Sequence, residues 1–320
     1  MKNIAIYEGD SYKKFYPFTI NHATFEIRTG SITMLDDLCR RIKGKLILVV
    51  RDSIKDLVTE RYPDAAVNPD KIPDDFCEIY LDEELDNPSL FSYVGFAKEV
   101  LEAGSSELVS KSAKVSSSAI LDSSGGSIII DDNALVDIGA LIKGPVYIGK
   151  NSIINPGAKL KDVVIGPYCK IGGEVEHTTF HGYSNKQHDG YLGHTYVGEW
   201  VNLGANTNNS DLKNNYSNIR VNMGDREIDA GMFAGCLIGD YTKTGISTMI
   251  NTGTYIGLGC NIFGAGFQNK YIPNFSWGMD GDKTDFDKFI QTLKIVKARR
   301  DKEITSAELE LLKNIYENKI

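Results

Sequence analysis

From residue 130 onward, branched apolar residues return at every sixth position: Ile130, Val136, Ile142, Ile148, Ile154 and Leu160. After a slip of one residue come Ile165 and Ile171, then Val197 and Leu203. A last run holds Met232, Ile238, Thr244, Ile250, Ile256 and Ile262. Glycine often follows the apolar residue, as at Gly149, Gly166, Gly172, Gly198, Gly204, Gly239, Gly245 and Gly257. A period of six matches neither the 3.6-residue turn of a helix nor the simple alternation of a strand. It fits a three-sided coil in which each side takes six residues, points one apolar side chain inward and turns a corner on small residues. Stacked coils bury a column that no single coil can bury alone. This coil domain is expected over 108–270. The period fails between Gly173 and Val197, and again between Ala205 and Met232, so loops are expected to leave the coil there. Loops on a rigid scaffold are where sites are usually built.

Ahead of the coil, strand and helix patterns alternate. Residues 4–7 and 76–81 read as strands, and 46–50 is a continuous apolar run suited to a strand buried on both faces. Helical spacing appears over 32–42, over 54–62 up to Pro63, and over 93–103. Such alternation predicts a small parallel α/β domain over 1–104. Beyond the coil, 283–320 predicts two helices. The first carries Phe286, Phe289, Ile290, Leu293 and Val296 on one face. The second opens on the capping box Thr305-Ser306-Ala307-Glu308 and carries Leu309, Leu312, Ile315 and Tyr316. These faces are expected to cover a coil end or a neighbouring subunit.

The net charge of −8 over 320 residues argues against nucleic-acid binding, which needs a basic face. It leaves room for phosphorylated sugars held by a few local cations. Cys39, Cys77, Cys169, Cys236 and Cys260 are scattered and form no C-x-x-C pair, which predicts reduced thiols in a cytoplasm. The first residues are too short and polar a run for a signal peptide, and no apolar run nears the roughly 18 residues a membrane span needs.

Chemistry concentrates in residues 184–207. Four of the five histidines, His177, His181, His188 and His194, fall in this stretch or just before it. Histidine titrates near neutral pH, so it suits proton transfer or metal binding. His177, His181 and His194 are read as solvated loop histidines. His188 is set apart by its surroundings: Tyr191 and the carboxamides Asn202 and Asn206.

The hexapeptide pattern resembles the left-handed parallel β-helix of the hexapeptide-repeat transferases. A short α/β front end before such repeats is similar to the bifunctional N-acetylglucosamine-1-phosphate uridyltransferase/glucosamine-1-phosphate acetyltransferase family and to its shorter sugar-nucleotidyltransferase relatives. In that family a His is followed three residues on by Tyr-Leu-Gly, and here His188 precedes Tyr191-Leu192-Gly193. The resemblance implies that His188 is the general base and that Tyr191 contacts the sugar phosphate. The family's Asn-Ile-Gly-Ala-Gly-Thr is matched by Asn202-Leu203-Gly204-Ala205-Asn206-Thr207, which implies Asn202 as a sugar ligand and Asn206 beside the acyl donor. Asn215-Tyr216 and the coil edge Phe233-Ala234-Gly235-Cys236 are implied at acetyl-coenzyme A. The basic sugar-phosphate ligands do not align, and Lys186, Lys213 and Arg220 are the replacements considered. At the front end, Pro17-Phe18-Thr19 is similar to the Pro-Leu-Thr of sugar nucleotidyltransferases, although the glycine-rich loop is reduced to Gly9. Gly9 and Arg28 are expected to face a nucleotide, and Asp82 a Mg²⁺ ion.

The reading that follows is acetyl transfer from acetyl-coenzyme A to an amino-sugar 1-phosphate. A base with a pKa of roughly 6 to 7 frees the attacking amine, and fixed donors at a coil corner hold the oxyanion. The resemblance implies a site between the coils of a homotrimer. Three other readings stand beside it: a UTP- or dTTP-dependent sugar-1-phosphate nucleotidyltransferase whose coil only trimerises, a non-catalytic trimeric scaffold, and a metal-dependent hydratase using three of the four clustered histidines.

Overall fold

The computed structural model describes residues 3–41, 44–81, 106–279 and 281–319. The chain divides into two compact units. Among the described residues no helix is long and apolar enough to cross a membrane.

The first unit comprises Met1–Ile27, Ile32–Pro88 and Asp285–Ile320. Its sheet holds β1 (Asn3–Tyr7), β2 (Leu46–Val49), β3 (Ala66–Val67) and β4 (Phe76–Tyr80) in the order β3-β2-β1-β4, all parallel. The expected helices are α1 (Met34–Arg41) and α2 (Lys55–Arg61), and the two-residue β3 is an addition too short to be seen from periodicity. Phe15, Phe18 and Phe25 are fully buried in this unit. The buried Glu26 carboxylate is held there by Arg61 at 3.0 Å and by the Tyr62 hydroxyl at 3.1 Å. Burial alone would raise its pKa, but Arg61 and His22 outweigh burial and leave the group below the ordinary carboxylate range. The helix expected over 93–103 lies outside the described residues.

The two C-terminal helices form as expected: α3 (Phe286–Ala298) after Asp285, whose side chain caps it, and α4 (Ser306–Tyr316) after Thr305. Their expected role is corrected, because they group with the α/β unit. The Ala307 N–H at the start of α4 reaches Glu60 Oε1 of α2 at 3.3 Å. Only half of the capping box closes on itself. The Thr305 hydroxyl accepts from Glu308 N–H, whereas the Glu308 carboxylate turns to the buried Lys297 ammonium at 2.5 Å. On α4 Leu311, Leu312 and Ile315 are buried, whereas Leu309 is exposed.

The second unit, Arg28–Ser31 with Ser89–Thr284, is a parallel β-solenoid. Three faces build it. The first stacks 120–122, 141–143, 159–161, 174–176 and 191–193. The second stacks 107–109, 128–130, 146–148, 163–165, 179–180, 196–197, 236–238, 254–256 and 271–272. The third stacks 114–115, 135–136, 153–154, 170–171 and 185–186, then continues through Asn202 to 243–244 and 261–262. Ile130, Val136, Ile142, Ile148, Ile154, Leu160, Ile165 and Ile171 all lie in one continuous buried column, as the period requires. Each such side chain contributes about 1.5–3 kcal/mol by leaving water.

Two expectations about the coil change. Residues 174–196 do not leave it: they wind one more coil, with Val175, Phe180, Lys186, Leu192 and Val197 pointing inward. A four-residue step from Ile171 to Val175, five-residue steps from Val175 to Phe180 and from Leu192 to Val197, and a lysine at an inward position hid that coil from a strict count of six. The second interruption does leave the coil. Between Asn209 and Cys236 the chain makes an excursion that contains an antiparallel hairpin, Arg220–Asn222 with Glu227–Asp229. Met232 belongs to this excursion and is 44% exposed, so the column resumes at Cys236 and Ile238.

Candidate active site

Each coil turns three corners, and each corner repeats down the stack. At the corner after the first face, Asp162, His177 and His194 all adopt a left-handed backbone, with φ of 57°, 46° and 45°. At the next corner the same conformation stacks Tyr168, Tyr183 and Trp200, with ring centroids 4.9 and 4.4 Å apart. The third corner is polar and tight. It carries Gly173, the turn 188–190, Asn206 and Ser247.

The third corner holds His188. The residue is exposed, and its imidazole has no hydrogen-bond partner among the described residues. The turn beneath it is fixed. Gly190 has φ of 123°, and a Cβ there would lie 2.3 Å from the Thr207 carbonyl oxygen, so only glycine fits. Asn206 N–H donates to the Asp189 carbonyl at 2.9 Å, which seats one coil on the next. The Asn206 carboxamide donates to Ser247 Oγ at 3.3 Å, and the exposed Asn202 accepts from Asn185 at 3.4 Å. His188 and Asn206 therefore share the third corner, and Asn202 is exposed on the face that leads into it.

Tyr191 opens the first face. Its hydroxyl donates to Asp211 Oδ2 at 2.8 Å, and His194 Nδ1 meets the same oxygen at 2.8 Å. Gly193 makes this possible, because a Cβ there would lie 2.3 Å from the Tyr191 hydroxyl and 2.4 Å from Asp211 Oδ2. His194 stacks on His177 at 4.5 Å and on Phe233 at 5.1 Å, and His177 Nδ1 meets Asp162 Oδ2 at 2.8 Å. Burial raises the Asp211 carboxyl, but the hydrogen bonds from His194 and Tyr191 overcome it and hold the group below its ordinary value. Burial, then the bond to Asp211, raises the Tyr191 phenol.

His177, His181 and His194 are thus corrected: none is a solvated loop residue. His181 is buried on a strand end and bonded to Glu199 at 3.1 Å. The hydratase reading loses its ligands, because no three of the four clustered histidines converge among the described residues. The two carboxylate–histidine pairs went unread, yet a signal existed. Asp162, His177 and His194 are spaced fifteen and seventeen residues apart, as are Tyr168, Tyr183 and Trp200. A shared spacing marks a shared corner.

Lys186 is 1% exposed inside the column, so it cannot act as a surface ligand. Cys236 is buried too. Burial pushes its thiol up to about 12, and its sulfur lies 3.4 Å from Thr195 Oγ1, so it presents nothing to a coenzyme. Arg28 is buried in the solenoid unit, where its guanidinium donates to the carbonyls of Ser31 and His181 and is not free for a nucleotide. Gly9, with φ of 76°, links β1 to a short 3-10 turn, and Phe18 and Thr19 behind that turn are buried. Asp82 lies outside the described residues.

Lys213, Asn215, Tyr216 and Arg220 sit on the excursion, which replaces a corner of the first kind and so lies apart from the His188 corner. Tyr216 is 65% exposed, Asn215 caps Ser217, and Arg220 lies 3.6 Å from Glu227. Lys270, not foreseen, lies within electrostatic reach of Lys213. Burial first, and Lys213 second, push its ammonium below the ordinary value.

The fold and these corners define a hexapeptide-repeat β-solenoid with a histidine-bearing edge. No family model matches the chain. It is 33% identical over 151 residues to a bifunctional sugar-1-phosphate nucleotidylyltransferase/acetyltransferase of Sulfurisphaera tokodaii, a match covering 46% of this chain and 38% of that protein. It is 31% identical over 130 residues to the bifunctional protein GlmU of Synechococcus elongatus, covering 40% and 25%. The chain is related to these bifunctional sugar-1-phosphate transferases at a distance and spans well under half of their length. The solved UDP-N-acetylglucosamine acyltransferase of Campylobacter jejuni aligns with a TM-score of 0.29 at 17% identity, over 66% of this chain and 90% of that one, a score too low to inform the site.

Proposed function

We propose that the protein transfers an acetyl group from acetyl-coenzyme A to the amine of an amino-sugar 1-phosphate, with His188 as general base. The observation that carries this reading is the exposed corner shared by His188 and Asn206, with Asn202 on the face leading into it, on a turn that Gly190 and the Asn206–Asp189 bond fix to the next coil. An exposed imidazole accepts the amine proton as nitrogen attacks the thioester carbonyl. The C–N bond forms, the C–S bond breaks and coenzyme A leaves as the thiol. Such base catalysis is worth about 10²–10⁴ in rate. The homotrimer implied by the resemblance is part of the same reading, and sedimentation tests it.

A second assignment of the base has its own support. His194 is oriented by Asp211, the arrangement in which a buried carboxylate fixes the tautomer of a catalytic imidazole. Product analysis with acetyl-coenzyme A and glucosamine-1-phosphate tests the reaction class. A parallel arm with UTP or dTTP, Mg²⁺ and sugar-1-phosphates tests nucleotidyl transfer by the α/β unit. An N-acetylated product in the first arm, lost in His188→Ala and kept in His194→Ala, is the expected result. Product in the second arm alone overturns the proposal.

A further inference from the structure

The inward ladder of the third face reads Val136, Ile154, Ile171 and then Lys186, before Leu203 restores the apolar rule. An ammonium in an apolar column is costly unless its protons find acceptors. Lys186 Nζ finds two: the carbonyls of Gly172 and His188, each at 3.0 Å. Gly173, with φ of 71°, makes room for it. A Cβ on that residue would lie 2.7 Å from Nζ and 2.9 Å from the carbonyl oxygens of both His188 and Gly190. The ammonium therefore sits inside the corner and ties the coil below to the backbone of the residue that carries the exposed imidazole. That imidazole has no side-chain tether of its own among the described residues.

We propose that Lys186 is a positioning residue, which fixes the His188 turn from inside the column and so sets the direction in which the imidazole is presented. The proposal rests on the reading of His188 as the base. A leucine or methionine at 186 would fill the same space and lose both bonds, leaving the His188 carbonyl without its partner. The groups whose charge acts on Lys186 are Asp189 on the turn and Glu174 on the coil below. Burial pushes the ammonium down to about 8, and those two carboxylates pull the other way. Loss of the proton near pH 8 weakens the two charge-assisted bonds to those of a neutral amine.

The test uses the full chain with acetyl-coenzyme A and glucosamine-1-phosphate. Lys186→Met is expected to fold with an unchanged circular dichroism spectrum, to lose 10- to 100-fold in kcat and to change KM less than threefold. The double variant Lys186→Met/His188→Ala should be no slower than His188→Ala alone, because both act through one imidazole. A further loss in the double variant, or wild-type turnover in Lys186→Met, overturns the proposal. A second arm needs neither activity nor a variant. With ¹³C-carbonyl histidine incorporated into the wild-type protein, the His188 carbonyl resonance should show a titration step near pH 8. Absence of any step between pH 7 and 11 overturns the proposal even if Lys186→Met fails to fold. If His188→Ala keeps wild-type turnover while the carbonyl step is present, the base assignment fails and the tether stands.

Discussion

Replacing Asp211 by Asn tests the corner chemistry quantitatively. The carboxylate receives the Tyr191 hydroxyl and His194 Nδ1, both at 2.8 Å, and its side chain is 15% exposed against 25% for His194. Hydrogen bonds to a charged group are worth about 1.5–3 kcal/mol each. Partial exposure trims that figure and Asn keeps one acceptor oxygen, so the expected cost is about 1–2 kcal/mol at pH 7. The sign with pH follows from linkage. A carboxyl whose folded pKa is depressed contributes stability above its unfolded value, and that contribution is lost as pH falls through the folded value. The deficit of Asp211→Asn should hold from pH 7 to 5 and shrink once the pH drops below about 4. Urea unfolding followed by tyrosine and tryptophan fluorescence reads it as a midpoint shift of roughly 0.5–1 M, for a slope near 2 kcal/mol/M. A deficit equally large at pH 3.5, or none at pH 7, would refute the assigned role of the carboxylate.

Further outcomes follow from the same geometry. Ile154→Ala empties a fully buried rung and should cost about 2–5 kcal/mol in urea unfolding, whereas the exposed Ile246→Ala should cost less than about 0.5. A thiol reagent on the native protein should label Cys39 and Cys77 quickly and leave Cys169, Cys236 and Cys260 untouched until unfolding, as mass spectrometry would count. Lys213→Ala should let the Lys270 ammonium rise toward its ordinary value in an NMR titration. Because Lys186 holds its proton less tightly folded than unfolded, wild-type stability should rise relative to Lys186→Met between about pH 8 and 10, by at most about 3 kcal/mol.

The column was legible because one physical requirement, a single inward apolar residue per side, prints itself every six positions. Where that requirement was met by something other than a branched alkyl group, the reading broke. Lys186 and Asn209 point inward yet satisfy their polar atoms on neighbouring backbone, the latter on both the N–H and the carbonyl of Gly193. A scan for apolar residues cannot see them, so 174–196 read as a loop. The α/β strands were visible for the same reason as the column, whereas the place of α3 and α4 was not, since an amphipathic face does not say what it covers. At the site, the His188 turn and its carboxamides came from linear motif order. The His194–Asp211–Tyr191 cluster joins residues across an excursion, and only the common spacing of corner residues hinted at it. Lys186 and Cys236 were misjudged because residue type suggested chemistry that burial forbids.

In this mechanism an imidazole on the third corner does the proton transfer. Its most direct test is the initial rate of N-acetylated product in His188→Ala, with and without added imidazole. The expected result is a loss of kcat of about 10²- to 10⁴-fold on an intact fold, partly restored by imidazole in proportion to its neutral fraction. Turnover at the wild-type rate, or a loss that imidazole cannot touch while His194→Ala shows the rescue instead, would contradict it.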